Sequence, residues 1–235
     1  MKYRTEEFLA DYDNYKFGYT HWGIPESDQD IENLYNQGFL PYSGNERLHS
    51  CYYLCRSIRI HASEFILSSE NKRILRKVAE AGIVPELIEY SADEALGNGE
   101  LKQFFLDYFN KHHGEGVMNS GRLEAILRYS QHVKVVTYLF QGEYIGAVIT
   151  QKIGTVIHYW FAAYSDHYTH LSLGMWLMVT FIKDYTVQNP EKVIYLGTGY
   201  GSKALYKTNI EQVEYFDGNN WKKDLKILKN LLRGT

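Results

Sequence analysis

The stretch 132-HVKVVTYLFQGEYIGAVITQKIGTVIHYWFAA-163 holds three apolar runs of similar length, His132–Phe140, Tyr144–Lys152 and Thr155–Ala163. β-Branched and aromatic side chains dominate each run, which favours extended chain over helix. Gln141-Gly142-Glu143 and Gly154 supply the punctuation of tight turns between them. The pattern predicts an antiparallel meander, and the rest of the chain can be placed around it.

Upstream of the meander, residues 120–130 predict a helix. Downstream, a polar loop leads to a helix over 171–187 with Leu173, Leu177 and Phe181 at core spacing. Val193–Leu196 and Val213–Phe216 predict short strands, and Trp221–Leu232 a closing amphipathic helix with Leu225, Leu228 and Leu232 on one face. Meander, helix, parallel strand, short helical segment and last strand is an order that resembles the GNAT fold. The expected class is therefore α+β: a GNAT-like mixed sheet over 116–235, with an α/β amino-terminal region over 1–115 packed on it.

In that first region Ser27-x-x-Asp30, followed by Ile31, Leu34 and Tyr35 and then Gly38, predicts a capped short helix, with GFLPYSGNE after it as a turn-rich loop. The run SCYYLCRSIRI, 50–60, predicts one strand. Ser68 or Ser69 caps a helix to Ala81, ended by Gly82; it points Ile74, Leu75 and Val78 inward and Lys72, Arg73, Arg76 and Lys77 mostly outward. A strand is expected at 83–90, and Ser91-x-x-Glu94 opens helical sequence that breaks at Gly97–Gly99 and runs to about His112.

Composition bounds the function. The chain has 235 residues, 45% of them hydrophobic, enough for a sizeable core. No run reaches the roughly 18 apolar residues of a membrane helix, and MKYRTEEFLADYD lacks a signal-peptide core, so a cytoplasmic protein with no membrane partner is expected. Net charge is −3, which argues against a protein that only coats nucleic acid. The charge is uneven, with local balances of −5 for 1–44, +4 for 45–77, −5 for 78–130 and +3 for 131–235. The second and fourth segments could form a phosphate-contacting surface, or be ordinary solvated faces.

Four blocks together resemble the arginyl- and leucyl-tRNA–protein transferases of the N-end rule pathway. They are Gly38-Phe39 with Ser43-Gly44; Cys55, Arg59-Ile60, Phe65, Ser68 and Lys72-Arg73-x-Leu75-Arg76; Leu171-Ser172-Leu173-Gly174; and Tyr195-Leu196-Gly197, continued by Lys203-x-x-Tyr206-Lys207 and Trp221. The family's amino-terminal Cys-x-x-Cys is missing, Pro41-Tyr42 stands where the family has a basic pair, the segment from Gly197 to Lys203 is shorter, and its acidic residues are represented mainly by Asp166 beside His167. The resemblance implies attack by the α-amine of an acceptor protein on the ester of an aminoacyl-tRNA, with the charged tRNA as co-substrate and no cofactor.

An α-amine with a pKa of about 7.7–8.0 needs only a weak base, so positioning and oxyanion stabilisation should carry the rate. Asp166 is the candidate to orient an amino group, and Tyr159, Tyr195 and Tyr206 are candidate polar tips, each also readable as packing. Ser172, Leu173 and Gly174 form the helix start. Its single glycine suits one phosphate better than the pyrophosphate of an acyl-CoA, or simply lets the helix pack on its strand. Gly197 belongs to the same binding set. Lys203, Lys207, Lys72, Arg73 and Arg76 would meet tRNA phosphates or an acidic acceptor side chain. Arg59 is either a substrate contact or a carboxylate-paired structural arginine. Cys51 and Cys55, with His49 nearby, are weak metal candidates, since their spacing suits a buried strand face better than zinc. Two other readings share these residues: an acyl-CoA-dependent acetyltransferase of a small amine, and an inactive module that binds tRNA or amino-terminal degrons.

Overall fold

A computed structural model describes residues 1–11, 13, 16–44 and 50–234. In chain order the elements are β1 (Lys2–Asp11), β2 (Lys16–Ile24), α1 (Asp28–Asn36), β3 (Phe39–Pro41), β4 (Tyr52–Leu54), β5 (Ser57–His61), α2 (Ser69–Glu80), β6 (Glu86–Ser91), α3 (Ala92–Gly97), α4 (Gly99–His113), α5 (Ser120–Leu127), β7 (Val133–Phe140), β8 (Glu143–Ile153), β9 (Val156–Tyr164), α6 (Leu173–Gln188), β10 (Val193–Thr198), β11 (Glu214–Phe216), β12 (Trp221–Lys222) and α7 (Leu225–Arg233). Three 3₁₀ segments occur among the described residues: Ala62–Glu64 after β5, Asp166–Leu171 before α6 and Ser202–Asn209 after β10.

The expected meander is β7–β8–β9, antiparallel throughout. It lies in an eight-stranded sheet of order β12-β11-β5-β10-β9-β8-β7-β6, in which β10 runs parallel to β9 and antiparallel to β5. The chain is thus α+β with a mixed sheet. The boundary expected near residue 115 falls between α4 and α5, and the sheet draws strands from both sides of it: β5 fills the slot between β10 and β11, and β6 extends the far edge. A smaller sheet, β1-β2-β4-β3, covers the amino-terminal side.

Strand alternation sends neighbouring residues into two cores. Val136, Val148, Ile157 and Ile194 pack with α2, α6 and α7 on one face, while Val135, Ala147, Ile149 and Val156 pack with α1, α4 and α5 on the other. Burial of both faces explains why the three runs are almost continuously apolar. Helix α6 is apolar nearly all round because it is the inner helix of its layer, with Trp176, Leu177, Met178, Val179, Phe181 and Ile182 buried.

The helix starts follow their local chemistry: Ser27, Ser68 and Ser91 each accept a backbone N–H as N-cap, and Ser91 with Glu94 forms a full capping box. Several expectations are corrected. The single strand over 50–60 is two strands in two sheets. The Ser57 amide bonds to the Cys55 carbonyl at 2.8 Å, and the N–H and C=O of Arg56 are taken by Tyr200 and Gly199, so the ladder stops between Leu54 and Ser57. Phe39–Pro41, expected in a loop, pairs with β4. The strand expected from 83 begins at Glu86, and the last helix begins at Leu225 behind its Asp224 cap, with Trp221 and Lys222 in a strand instead. The β1–β2 hairpin was not expected at all.

Candidate active-site cleft

Strands β9 and β10 pair over only three positions, Val156–His158 against Val193–Tyr195, and then part. Both strands carry a bulge just beyond that point. Against β8, Ile149 faces Phe161 and Thr150 faces Tyr159, which leaves Trp160 extra; against β5, Tyr195 faces Arg59 and Gly197 faces Ile58, which leaves Leu196 extra. A bulge bends its strand and raises its twist. Two at the same level swing the strand ends apart, and a cavity of about 890 Å³ opens between Tyr159–Tyr164 and Leu196–Thr198.

The start of α6 faces this cavity, with Ser172 through Met175 in its wall. Ser172 is the N-cap, in left-handed backbone (φ 59°, ψ 44°) with no side-chain cap bond, a conformation uncommon outside glycine and frequent where function demands it. Gly174 packs against the meander: a Cβ there would lie 2.8 Å from Cε1 of Tyr164.

The electrostatics have one sign. Arg122, Lys203, Lys207, His112, His113 and His158 line the cleft, and among the described residues no aspartate or glutamate does. Nine aromatic side chains share the walls, among them Tyr53, Tyr108, Trp160, Tyr164 and Tyr206. Lys207 is buried at 9% exposure, and its Nζ donates to the Thr198 carbonyl at 2.7 Å. Desolvation pulls its pKa down to about 8, only partly opposed by the Cys55 thiol. His158 sits at the last paired position of β9, where the strands divide. The Tyr35 hydroxyl donates to Gln151 Oε1 at 2.6 Å and lies 3.0 Å from His158 Nδ1. With the one phenolic proton directed to Gln151, Nδ1–H donates to Tyr35, and Nε2, buried with no partner, is a bare acceptor. Burial, with Lys207 nearby, lowers the His158 pKa to about 3, so the ring is neutral and too weak a base to take a proton at neutral pH.

Of the residues singled out from sequence, Tyr159, Ser172, Leu173, Gly174, Gly197, Lys203, Tyr206 and Lys207 come together in the cleft wall. Desolvation holds Tyr159 well above the ordinary phenol range and pushes Tyr206 up to about 12, so both stay protonated donors. Asp166 stands just behind the wall, its carboxylate bound by Lys111 at 2.6 Å and His112 at 2.8 Å. The Lys111 hydrogen bond, ahead of His112, holds it below the usual carboxylate range.

The others lie elsewhere. Arg59 is in the β5–β11 pairing, bound to Glu214 at 2.8 Å and stacked 3.8 Å over Trp221. Tyr195 is fully buried on the opposite face, against Tyr35. Lys72, Arg73 and Arg76 are exposed on α2, where Arg73 pairs with Glu70 and Arg76 with Glu80. Cys55 is buried against the Gly38 carbonyl, with its thiol pushed up to about 12 by desolvation, and Cys51 is half-buried. No metal-holding cluster occurs among the described residues, and His49 lies outside them. Sequence reading missed His158, Arg122 and Tyr108, which carry no local motif. The one available signal was a histidine inside an apolar strand.

No helix among the described residues is long and apolar enough to cross a membrane. The profile of the family described as "Acetyltransferase (GNAT) domain" matches residues 72–208. An aspartate/glutamate leucyltransferase from Vibrio parahaemolyticus serotype O3:K6 (strain RIMD 2210633) is 24% identical over 183 residues, covering 75% of this chain and 72% of the relative. Among solved structures, FemX is similar over 75% of this chain at 9% identity and a TM-score of 0.47, and L-PGS from Bacillus licheniformis over 72% at 12% identity and 0.44. The chain accounts for 61% and 49% of those two proteins. The matched stretch spans more than half of the sequence and carries the meander, the divided strands and the helix that opens on them: the chain belongs to the acetyltransferase (GNAT) domain family and is an acyltransferase.

Proposed function

We propose that this acyltransferase takes its acyl group from an aminoacyl-tRNA, leucine by similarity to the Vibrio relative, and adds it to the amino terminus of a protein beginning with aspartate or glutamate. The observation that carries the reading is the sign and lining of the cleft: three cationic side chains, Arg122, Lys203 and Lys207, no carboxylate among the described residues, and aromatic walls. A tRNA terminus is a chain of phosphates and unstacked bases. Cations attract the first, and aromatic faces accept the second at about 1–3 kcal/mol per base. Gly174 fits the same reading, because its missing side chain makes room for Tyr164 on β9 and not for a second phosphate. The reaction places the protein in the cytoplasm, where charged tRNA is found.

In the transfer, the neutral α-amine of the acceptor attacks the ester carbonyl. A C–N bond forms, the C–O bond to the ribose breaks, and the ribose oxygen leaves with a proton. Tyr206 and Tyr159 line the cleft and stay protonated at neutral pH, which supports them as the donors to the carbonyl or ribose oxygen. Asp166, bound by Lys111 and His112 behind the wall, positions His112 in the cleft instead of meeting the substrate amine itself. Transfer of radiolabelled leucine from leucyl-tRNA to peptides of defined first residue tests the proposal. Acid-dependent labelling of Asp- and Glu-peptides is expected. No transfer from any charged tRNA, together with micromolar binding of acetyl-CoA in a calorimetric titration, overturns it in favour of acetyl transfer.

A further inference from the structure

Among the described residues, Arg59 and Lys207 are two long cations largely withdrawn from solvent, and only Arg59 is matched by a carboxylate. Arg59 has Glu214 at 2.8 Å, Tyr195 at 3.4 Å and the Trp221 ring beneath it. Lys207 is equally buried, yet its hydrogen bond goes to a neutral carbonyl, and no ion pair among the described residues includes it. The surrounding groups do not supply a charge either. Cys55 is a neutral thiol, His158 a neutral imidazole, and Tyr159 and Tyr206 are phenols. An ammonium taken out of water without an anion is unfavourable, and folded proteins seldom keep one without a use.

The location indicates the use. Lys207 Nζ bonds to β10 beside the positive-φ Gly197, where a Cβ would stand only 3.3 Å from that nitrogen and crowd it. It lies at the floor of the cleft, whereas Lys203 is exposed and Arg122 half-buried at its walls. Of an ammonium's three donors one is held by Thr198, which fixes the group in place. A single buried charge of this kind matches one carboxylate, whereas a run of phosphates matches the outer cations.

We infer that Lys207 forms a carboxylate subsite at the floor of the cleft and selects the acidic side chain of the acceptor's first residue. This rests on the aminoacyl-transfer reading for its substrate. The desolvation of the lysine is already met in folding, so an entering carboxylate gains the attraction without that part of the penalty. A neutral amide of the same shape gains little. A charge-assisted hydrogen bond at about 1.5–3 kcal/mol corresponds to roughly 10–100-fold discrimination of aspartate over asparagine.

The test measures leucine transfer to peptides beginning with Asp, Glu, Asn and Gln by the wild-type chain, Lys207→Met and Lys207→Arg, with each variant's fold checked by thermal melting. The binding of fluorescent Asp- and Asn-peptides without tRNA is followed in parallel by anisotropy. Lys207→Met should lose roughly 10–100-fold in kcat/KM for Asp- and Glu-peptides, mostly through KM, while Asn- and Gln-peptides change less than about threefold. Lys207→Arg should keep the acidic preference. Equal losses for Asp- and Asn-peptides, or a raised KM for leucyl-tRNA with peptide KM unchanged, would overturn the subsite and assign Lys207 to a tRNA phosphate. A wild-type chain inactive with every charged tRNA would defeat the transfer reading alone. The anisotropy arm then decides: Asp-peptide binding that disappears in Lys207→Met supports the subsite, and binding that does not distinguish Asp from Asn removes it.

Discussion

Replacing Lys207 by methionine should stabilise the protein at neutral pH. The side chain's pKa falls from 10.5 to about 8 on folding. At about 1.36 kcal/mol per pKa unit, the charged form is therefore disfavoured by about 3 kcal/mol in the folded state at pH 7. Methionine removes that penalty and loses the bond to the Thr198 carbonyl, about 1 kcal/mol, for a net gain of about 2 kcal/mol. The sign of the pH dependence follows from the lowered pKa. Between about 8 and 10.5 the unfolded chain holds more protons than the folded one, so wild-type stability gains with rising pH. About 2 kcal/mol of the penalty should be recovered between pH 7 and 9.5, and the advantage of Lys207→Met should shrink by the same amount. Taking the difference between the two proteins cancels the tyrosines, whose raised values act in the opposite direction above pH 10. Urea titrations at pH 7, 8 and 9.5 read this directly, and at pH 7 the variant's melting point should rise by about 4–8 °C. A variant less stable than wild type at pH 7, or a difference that stays constant to pH 9.5, would refute the account of Lys207 as an unmatched buried cation.

Three other outcomes are expected. Gly174→Ala should cost about 1–3 kcal/mol by overpacking and reduce transfer, because its Cβ meets the Tyr164 ring; a double-mutant cycle with Tyr164→Ala should recover most of the stability, and additive losses would contradict the contact. Glu214→Leu should cost about 3–5 kcal/mol by leaving Arg59 buried and unpaired, yet leave the peptide and tRNA KM of the folded fraction unchanged, which steady-state kinetics below the melting point would show. Iodoacetamide at pH 8 should label Cys51 well before Cys55, whose thiol is buried and pushed up to about 12, and neither zinc nor a chelator should move the melting point; protection of both thiols by zinc would contradict this.

Short-range chemistry was legible in the sequence. Ser27, Ser68 and Ser91 cap helices because the bonds they make reach only three residues ahead. Gln141 and Gly142 turn the meander because both take positive φ, as a two-residue hairpin turn requires. Long-range partners were not legible. Nothing local to SCYYLCRSIRI says that the backbone of Arg56 will be claimed by Tyr200 and Gly199, more than 140 residues later, and that the run will be cut into two sheets. The same holds for the insertion of β5 beside β10, which depends on a slot that exists only once the last third of the chain has folded.

For the site, the glycine and lysine blocks read from sequence did converge, while Arg59 and Tyr195 went to a different place. The cause is parity. Leu196 is a bulge residue, so Tyr195 and Gly197 flank an irregularity that turns Gly197 to the cleft and leaves Tyr195 in the core with Tyr35. The same geometry hid His158. In a regular strand it and Tyr159 would serve opposite faces, but where β9 leaves β10 both border the opening. Arg59 and Lys207 make the general point. Each is a cation that its neighbours in sequence do not mark as special, and only the fold reveals that one has been given a glutamate and the other has not. The unmatched charge is the part of this structure that folding alone does not explain, and an anionic substrate does.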